Sequence, residues 1–296
     1  MPANEETPEV RQPSLGGYLR SRRSAVAPEQ VGFPREKSRR VTGLRREEVA
    51  VLAGVSADYY TRLEQDRAVA PSMQVLHAIA KALQLSGVER EHLFALATTG
   101  VHHAMAATPW LRDSTVEGEV RPSMLRVLDA LDPASPAFVI GARTRLLAYN
   151  ALGAALHGDP LTRHVRNEMV WLLFKDRETR ALYPDWADVA RDTVGSLRRD
   201  AARHPDDPVL TELVNELAES SADFRRWWSE QHVARKGPGL KRFAHPVVGD
   251  LTLHYETLSV DDDAQRLIVY TAPAGSPAEE TLQLLGTWWA TVRRPL

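Results

Sequence analysis

Apolar residues recur at helical spacing around position 50 and predict two short helices separated by a glycine. The first helix is expected over 45–53. Gly54 follows it and can adopt the positive φ that a tight turn between helices requires. Ser56 is the expected N-cap of the second helix. The apolar positions of the pair, which are predicted to pack against each other, are Val49, Ala50, Ala53, Val55, Tyr60 and Leu63.

The second helix is predicted to turn a short and mostly polar row away from this apolar stripe. Such a row is what a recognition helix presents to base edges in the major groove. An ordinary helical hairpin inside a core is the alternative interpretation of the same pattern. The residues of the row are Ala57, Asp58, Tyr59, Thr61 and Arg62.

Three further helices are predicted around this pair, over 15–24, 72–83 and 90–99. Together the five helices would form an all-α domain over 1–100, within the usual size of a single domain. The segment 101–120 has no sustained periodicity and is predicted to be a linker.

The remainder of the chain, 121–296, mixes strand and helix patterns and predicts an α+β domain. An antiparallel sheet with helices over one face would bury a pocket between the two layers. Strands are expected over 137–142, 145–150, 240–246, 250–259 and 265–272, with a turn at 261–263. Helices are expected over 123–131, 151–157, 167–175, 186–204, 208–220, 221–233 and 277–291.

Charge is distributed unevenly along the chain. The formal net charge is −2, yet ten lysines or arginines lie between Arg11 and Arg46, against only Glu29 and Glu36. Because this basic segment leads directly into the helix pair, a loop at 35–40 is predicted to contact DNA phosphates.

The helix pair resembles the helix-turn-helix of Xre/lambda-repressor-like bacterial regulators. The resemblance rests on Gly43-Leu-Arg-Arg-Glu-Glu-Val-Ala50, Ala53-Gly-Val-Ser56 and Tyr59-Tyr-Thr-Arg-Leu-Glu-Gln65. It implies that the protein binds a double-stranded DNA operator, with Arg45 and Arg46 beside phosphates. Arg46 stands where the family usually has a glutamine, and it keeps a phosphate donor there. Two half-sites one helical turn apart would add specificity, so a homodimer is expected.

The second domain resembles the PAS-like ligand-binding domain of MmyB-type regulators. Runs that carry the resemblance include Arg121-Pro-Ser-Met-Leu125, Leu182-Tyr-Pro-Asp-Trp186, Val194-Gly-Ser-Leu-Arg198 and Ser221-Ala-Asp-Phe-Arg-Arg-Trp227. The resemblance implies a multidomain, one-component transcription regulator that senses a small amphipathic or fatty-acid-like molecule. A domain that serves only dimerisation or partner binding is the alternative.

Candidate ligand contacts follow from the aromatic and polar residues of this domain. Asn150, Arg198 and His245 are the candidate anchors for a polar head group. For Arg198, a salt bridge with Asp192 or Glu216 is an equally good interpretation. Most buried aromatic residues are simply core residues. The candidates for lining an apolar pocket are Leu173, Trp186, Leu197, Phe224, Trp228 and Tyr255.

Other classes of protein find little support in the sequence. The chain has 296 residues and no cysteine, lacks an apolar run of the roughly 20 residues that a membrane span needs, and starts without a secretory signal. A cytoplasmic location is therefore expected. No phosphate-binding loop, nucleophile elbow or zinc motif occurs, and the histidines are scattered. We therefore expect no catalysis, no cofactor and no metal.

Overall fold

The computed structural model describes residues 14–34, 41, 43–68, 71–105, 119–131, 134–231, 238–260 and 265–292. The chain divides into two compact units. The first comprises Met1–Leu111 and Val194–Arg235, and the second comprises Arg112–Thr193 and Lys236–Leu296. The domain limits predicted from the sequence, at 100 and 121, stay predictions.

Among the described residues of the amino-terminal part there are five α-helices, as the sequence predicts. They are α1 (Leu15–Ala25), α2 (Arg46–Ala53), α3 (Ala57–Glu64), α4 (Met73–Ala82) and α5 (Gly87–Met105), with a short 3-10 helix at Pro28–Val31. The last helix is longer than predicted and enters the segment expected to be a linker. Its early start has a local cause, because the Ser86 N–H donates to Glu89 Oε2 at 2.9 Å in a capping interaction. The basic loop at 35–40 lies outside the described residues.

The rest of the chain contains nine α-helices and five strands within the described residues, and it confirms the predicted α+β class. The helices are α6 (Pro122–Ala130), α7 (Ala151–His157), α8 (Pro160–Arg163), α9 (Met169–Lys175), α10 (Arg177–Leu182), α11 (Trp186–Arg203), α12 (Pro208–Ser220), α13 (Ala222–Ser229) and α14 (Pro277–Val292). The strands are β1 (Ala137–Ile140), β2 (Leu146–Tyr149), β3 (Gly239–His245), β4 (Gly249–Val260) and β5 (Gln265–Thr271). The sequence did not predict α8 and α10, and the turn expected at 261–263 lies outside the described residues.

An apolar core of the first unit lies beneath the helix-turn-helix. Tyr18, Tyr60 and Ile79 are fully buried there, and Ala202 from α11 joins the same cluster. The second half of α11 therefore packs with the amino-terminal helices, which the sequence did not predict. The helices α12 and α13 also belong to this unit.

The five strands of the second unit form an antiparallel sheet with the order β2-β1-β5-β4-β3. The register pairs Phe138 with Ile268 between β1 and β5, and Tyr255 with Tyr270 between β4 and β5. Because β1 and β5 lie in the middle of the sheet, their residues are buried on both faces, which explains why these strands are almost continuously apolar.

Helices lie on both faces of the sheet, whereas the sequence pattern predicts helices over one face only. Phe138 and Tyr270 point into the larger core, which α7, α9, α11 and α14 cover. Ala137 and Val269 point the other way and pack against Met124 of α6. The expectation of one covered face was wrong because side chains alternate along central strands that are apolar at every position.

Candidate DNA-binding and ligand-binding sites

The predicted helix-turn-helix is formed by α2 and α3, with Gly54 at the turn. Gly54 has a φ of +65°, a conformation that costs glycine little and other residues more. The Ser56 hydroxyl oxygen accepts a hydrogen bond from the Tyr59 N–H at 3.1 Å and caps α3 as predicted. Tyr60 and Leu63 are buried in the core, so the opposite side of α3 faces solvent.

The solvent-facing side of α3 is narrower than the predicted polar row. Asp58 and Arg62 are exposed and form an i,i+4 ion pair, with Arg62 Nη2 and Asp58 Oδ2 3.1 Å apart. Ala57 and Tyr59 pack partly against the core. Thr61 donates its hydroxyl hydrogen to the Ala57 carbonyl oxygen at 2.8 Å. The two charged side chains are therefore the most accessible part of this helix.

A buried carboxylate at the end of α3 ties the DNA-binding helices together. The side chain of Glu64 is fully buried, and it accepts hydrogen bonds from Arg23 Nε at 2.5 Å and from Arg46 Nε at 2.7 Å. Burial acts to raise the pKa of Glu64, but the hydrogen bonds and positive charges of the two arginines outweigh it and hold the pKa below its ordinary value. The sequence alone does not indicate this role of Glu64, because its two arginine partners are 18 and 41 residues away along the chain.

The residues expected beside phosphates occupy the start of α2. Arg45 is half-buried, and its N–H donates to Glu48 Oε2 at 2.6 Å, which caps the helix. Arg46 is exposed over 44% of its side chain while its Nε is paired with Glu64. Contact of either arginine with DNA stays a prediction.

Five of the predicted ligand contacts lie in the second unit, and three of these share its main core. Leu173 is buried there, while Trp186 and Tyr255 are partly buried against it. The Trp186 indole N–H donates to the Leu173 carbonyl oxygen at 2.7 Å. The guanidinium carbon of Arg180 lies 3.7 Å from the centre of the Trp186 ring.

The two polar candidates of the second unit are engaged in structural hydrogen bonds. Asn150 caps α7, because its Oδ1 accepts from the Gly153 N–H at 2.8 Å. His245 Nε2 donates to the Ala155 carbonyl oxygen at 3.1 Å, and its Nδ1 accepts from the Val247 N–H at 3.3 Å. Burial lowers the pKa of His245, so this histidine is neutral at physiological pH.

A buried polar pair in the same core was not found from the sequence. His157 Nε2 and Tyr183 Oη share a hydrogen bond of 2.7 Å, and Phe138, Phe243 and Tyr270 surround them with aromatic rings. Scattered single histidines carry little signal in a sequence, because only the fold shows which of them meet a partner.

The other four predicted ligand contacts lie in the first unit. Leu197 and Phe224 are fully buried, and so is Arg198. The Phe224 and Trp228 rings are stacked with their centres 5.7 Å apart, and the guanidinium carbon of Arg198 lies 4.3 Å from the centre of the Trp228 ring. The ligand role of all nine residues stays a prediction.

Arg198 makes neither of the salt bridges considered from the sequence. Its Nη1 donates to Gln231 Oε1 at 2.8 Å, while its Nε and Nη2 have no hydrogen-bond partner within the part of the chain that the structure describes. Burial, followed by the nearby charge of Arg22, lowers the pKa of Arg198 to about 9. The guanidinium is therefore still protonated at neutral pH.

Comparison with protein families gave two matches that cover different parts of the chain. A model of a helix-turn-helix domain matches residues 14–93. A model of the MmyB-like transcription regulator ligand binding domain matches residues 120–285. A comparison with curated proteins found none that matches this sequence. Within the described residues, no helix is long and apolar enough to cross a membrane.

Proposed function

Because the chain belongs to the MmyB-like transcription regulators, we propose that it is a one-component, sequence-specific regulator without catalytic activity. Its helix-turn-helix binds a double-stranded operator, and its ligand-binding domain senses a small amphipathic or fatty-acid-like molecule. The observation that carries the proposal is the arrangement of α3, in which Tyr60 and Leu63 are buried while Asp58 and Arg62 face solvent. Since the DNA target of a bacterial regulator is in the cytoplasm, we propose that the protein acts there.

Arg62 is the proposed base-reading residue of α3. An exposed i,i+4 ion pair such as Asp58–Arg62 is worth about 0.3–0.5 kcal/mol, whereas a bidentate contact between arginine and guanine discriminates by about 1–3 kcal/mol. The gain outweighs the cost, so Arg62 can leave Asp58 on binding. Asp58 is then able to accept a hydrogen bond from a cytosine amino group.

The phosphate contacts are assigned to the amino-terminal side of the helix pair. The Nε of Arg46 binds Glu64 at 2.7 Å while 44% of the side chain stays exposed, so the guanidinium is held at the start of α2 and remains accessible to a phosphate. Arg45 and the basic loop at 35–40 complete the proposed phosphate surface. The remaining proposed DNA contacts, Ser56, Ala57, Tyr59 and Thr61, lie on the first turns of α3, the part of a recognition helix that contacts base edges.

Ligand sensing is proposed for the nine residues named above, of which five lie in the second unit and four in the first. Asn150 and His245 already have structural partners, whereas the buried Nε and Nη2 of Arg198 have no hydrogen-bond partner among the described residues. This difference favours Arg198 as the residue that binds the polar head group.

We further propose that the protein binds DNA as a homodimer. One short helix-turn-helix contacts too few bases for high specificity, and two half-sites about one helical turn apart supply it. A dimer also allows a ligand to change DNA affinity by altering how the two recognition helices are spaced.

The proposal can be tested with the purified full-length protein. Native mass spectrometry followed by extraction should identify an amphipathic occupant, and selection from a random duplex pool should yield a palindromic operator. Trp228→Ala should weaken the ligand response and leave operator affinity nearly unchanged. A protein that holds no ligand and shows no thermal shift with medium-chain or long-chain acids would instead have a domain for dimerisation or partner binding. Equal affinity for every duplex at physiological salt would refute the regulator itself.

A further inference from the structure

The closing helix α14 exposes an apolar row to solvent. Leu284, Trp288 and Val292 follow one another at intervals of four residues, so they lie on one side of the helix. These residues are 65%, 36% and 59% exposed. The other side of the helix, with Leu282 and Leu285, is buried in the main core of the second unit. The helix is therefore apolar both where it packs and where it meets water.

The middle of α14 also lacks charge. Its residues from Thr281 to Val292 include no aspartate, glutamate, lysine or arginine, although the exposed face of a surface helix normally carries such residues. The ordinary pattern is visible in α12, which exposes Glu212 while it buries Leu213 and Leu217. Exposed apolar surface of this kind is typical of a contact with another protein.

The charges of α14 lie at its two ends. Glu279 and Glu280 occupy the first turn. The helix ends at Val292, and the sequence continues with Arg293 and Arg294, which lie outside the described residues. This order also suits the helix dipole, but the dipole does not explain why the residues between the ends are uncharged. The charge therefore runs from acidic, through a long neutral segment, to basic.

A second copy of α14 is the surface that matches this order of charge. When two copies lie antiparallel about a two-fold axis, the acidic start of each helix meets the basic end of the other. The neutral segment then meets itself without repulsion, whereas a parallel pair would bring like charges together. The order of charge therefore selects an identical partner in one direction.

We propose that two copies of the chain associate through the exposed side of α14, antiparallel about a two-fold axis. The inference rests on the homodimer proposed above and assigns that dimer a surface. This surface is called the α14 face, and it comprises Glu280, Leu284, Thr287, Trp288 and Val292.

Trp288 is the anchor of the α14 face. Tryptophan is among the residues that contribute most to the affinity of protein interfaces. The rings of Trp288 and Trp289 have their centres 6.0 Å apart, and Trp289 packs partly against the core of the second unit. Because a buried neighbour restricts it on one side, the Trp288 ring has less freedom to lose when a partner binds.

The first experiment measures the dissociation constant of the dimer with the full-length protein, by analytical ultracentrifugation. Leu284→Glu brings two like charges into the interface and should raise this constant by about tenfold or more. Leu240→Glu is the matched control, because Leu240 is a leucine of the same unit with a similar exposure of 62%. The control should stay within about twofold of the wild type. Equal dissociation constants for the two variants would overturn the α14 face.

The antiparallel direction is tested by exchanging the charges at the two ends. Glu280→Arg and Arg294→Glu should each weaken the dimer by about threefold, because each brings like charges together at the surface. The double variant has both charges exchanged, so it should recover the affinity of the wild type. A double variant weaker than either single one would overturn the antiparallel arrangement.

A cross-link provides a second readout, which also decides the case if Leu284→Glu does not fold. The chain has no cysteine, so a single introduced thiol reports contact between copies. Thr287 is exposed and lies halfway between Glu280 and Arg294 in the sequence, which places it at the two-fold axis. Thr287→Cys should form a disulfide-linked dimer on oxidation with copper phenanthroline, and Leu240→Cys should not.

The outcomes separate the α14 face from the proposed homodimer itself. A wild type that is dimeric, with no cross-link through Thr287→Cys and no weakening by Leu284→Glu, would overturn the α14 face and leave the homodimer. A wild type that is monomeric at micromolar concentration, both free and on its operator, would overturn the two together.

Discussion

Replacing Glu64 by glutamine should destabilise the DNA-binding unit more than any change on its surface. The carboxylate of Glu64 is fully buried and receives hydrogen bonds from Arg23 Nε at 2.5 Å, Arg23 Nη2 at 3.2 Å and Arg46 Nε at 2.7 Å. Glu64→Gln keeps the shape of the side chain and removes its charge. The side chain of Arg23, which is only 11% exposed, is then left without its counter-ion.

The size of the effect follows from which arginine can reach water. Removing one partner of a buried ion pair costs about 3–5 kcal/mol, because the other charge remains buried. Arg46 is 44% exposed and can turn towards solvent, so the penalty falls mainly on Arg23 and we expect about 3 kcal/mol. With a urea dependence of about 1–3 kcal/mol per molar, the unfolding midpoint should fall by about 1–3 M.

Urea unfolding followed by circular dichroism measures this loss. Glu47→Gln is the matched control, since Glu47 lies exposed on α2 and its replacement should change stability by less than about 0.5 kcal/mol. Because the folded-state pKa of Glu64 is lowered, its contribution is present above the unfolded pKa of about 4.3 and is lost as the pH falls through the lower folded value. The difference between wild type and Glu64→Gln should therefore shrink in acid. A variant as stable as the control at pH 7 would refute the reasoning.

Three further predictions concern recognition, pH and assembly. Arg62→Ala should relax specificity at one base position, at a cost of about 1–3 kcal/mol of binding free energy. Arg46→Ala should weaken binding to all duplexes and reduce its salt dependence, and loss of the contact with Glu64 should lower protein stability by about 1 kcal/mol. Binding titrations on operator variants at several salt concentrations measure the two effects on DNA binding. Burial lowers the pKa of His92 to about 3, so between pH 6.5 and 3 the unfolded state binds more protons than the folded state. The stability of the protein should therefore fall as the pH is lowered from 6.5 to 3. His92→Phe should reduce this fall, which thermal melts at each pH measure. Sedimentation should give a homodimer at micromolar concentration, and a monomer both free and on DNA would contradict it.

The helix-turn-helix could be predicted closely because its determinants are local. Gly54 sets the turn, Ser56 caps α3, and the apolar spacing of Tyr60 and Leu63 fixes the buried face. These features act within a few residues of one another, which is the range over which sequence patterns are informative. The N-cap and the buried apolar positions predicted for the second helix are those that α3 has.

The α+β class of the second unit was also predictable, and its short helices were not. The strands β3, β4 and β5 each lie within one residue or so of their predicted limits, because alternation and turn residues bound them. The helices α8 and α10 have four and six residues, too few to establish a helical period. Their caps are the visible signals, and Asp176, which accepts from the Thr179 N–H at 3.1 Å, is the clearest of them.

Contacts between residues far apart in the sequence could not be predicted, because they depend on which helices pack against each other. Arg198 was considered for a ligand or for a salt bridge with Asp192 or Glu216, and the alternatives could not be separated without coordinates. The actual partners, Gln231 and the Trp228 ring, lie about thirty residues further along the chain. The packing of Ala202 into the core below the helix-turn-helix was equally invisible, because α11 shows an amphipathic pattern without revealing what covers it.

The position of α1 explains how a change among residues 194–231 can reach α3. Gly16 approaches α3 so closely that a Cβ atom there would lie 2.4 Å from the Glu64 carbonyl oxygen, and its N–H donates to Asp66 Oδ1 at 2.7 Å. One and a half turns later, Ser21 binds the Glu230 carbonyl oxygen at 3.0 Å. Ser21 and Gly16 are five residues apart on one continuous α-helix, so a displacement of Ser21 also displaces Gly16. Because no space separates Gly16 from the end of α3, α3 must move with α1 or the contact must break, and either result changes the surface that meets DNA.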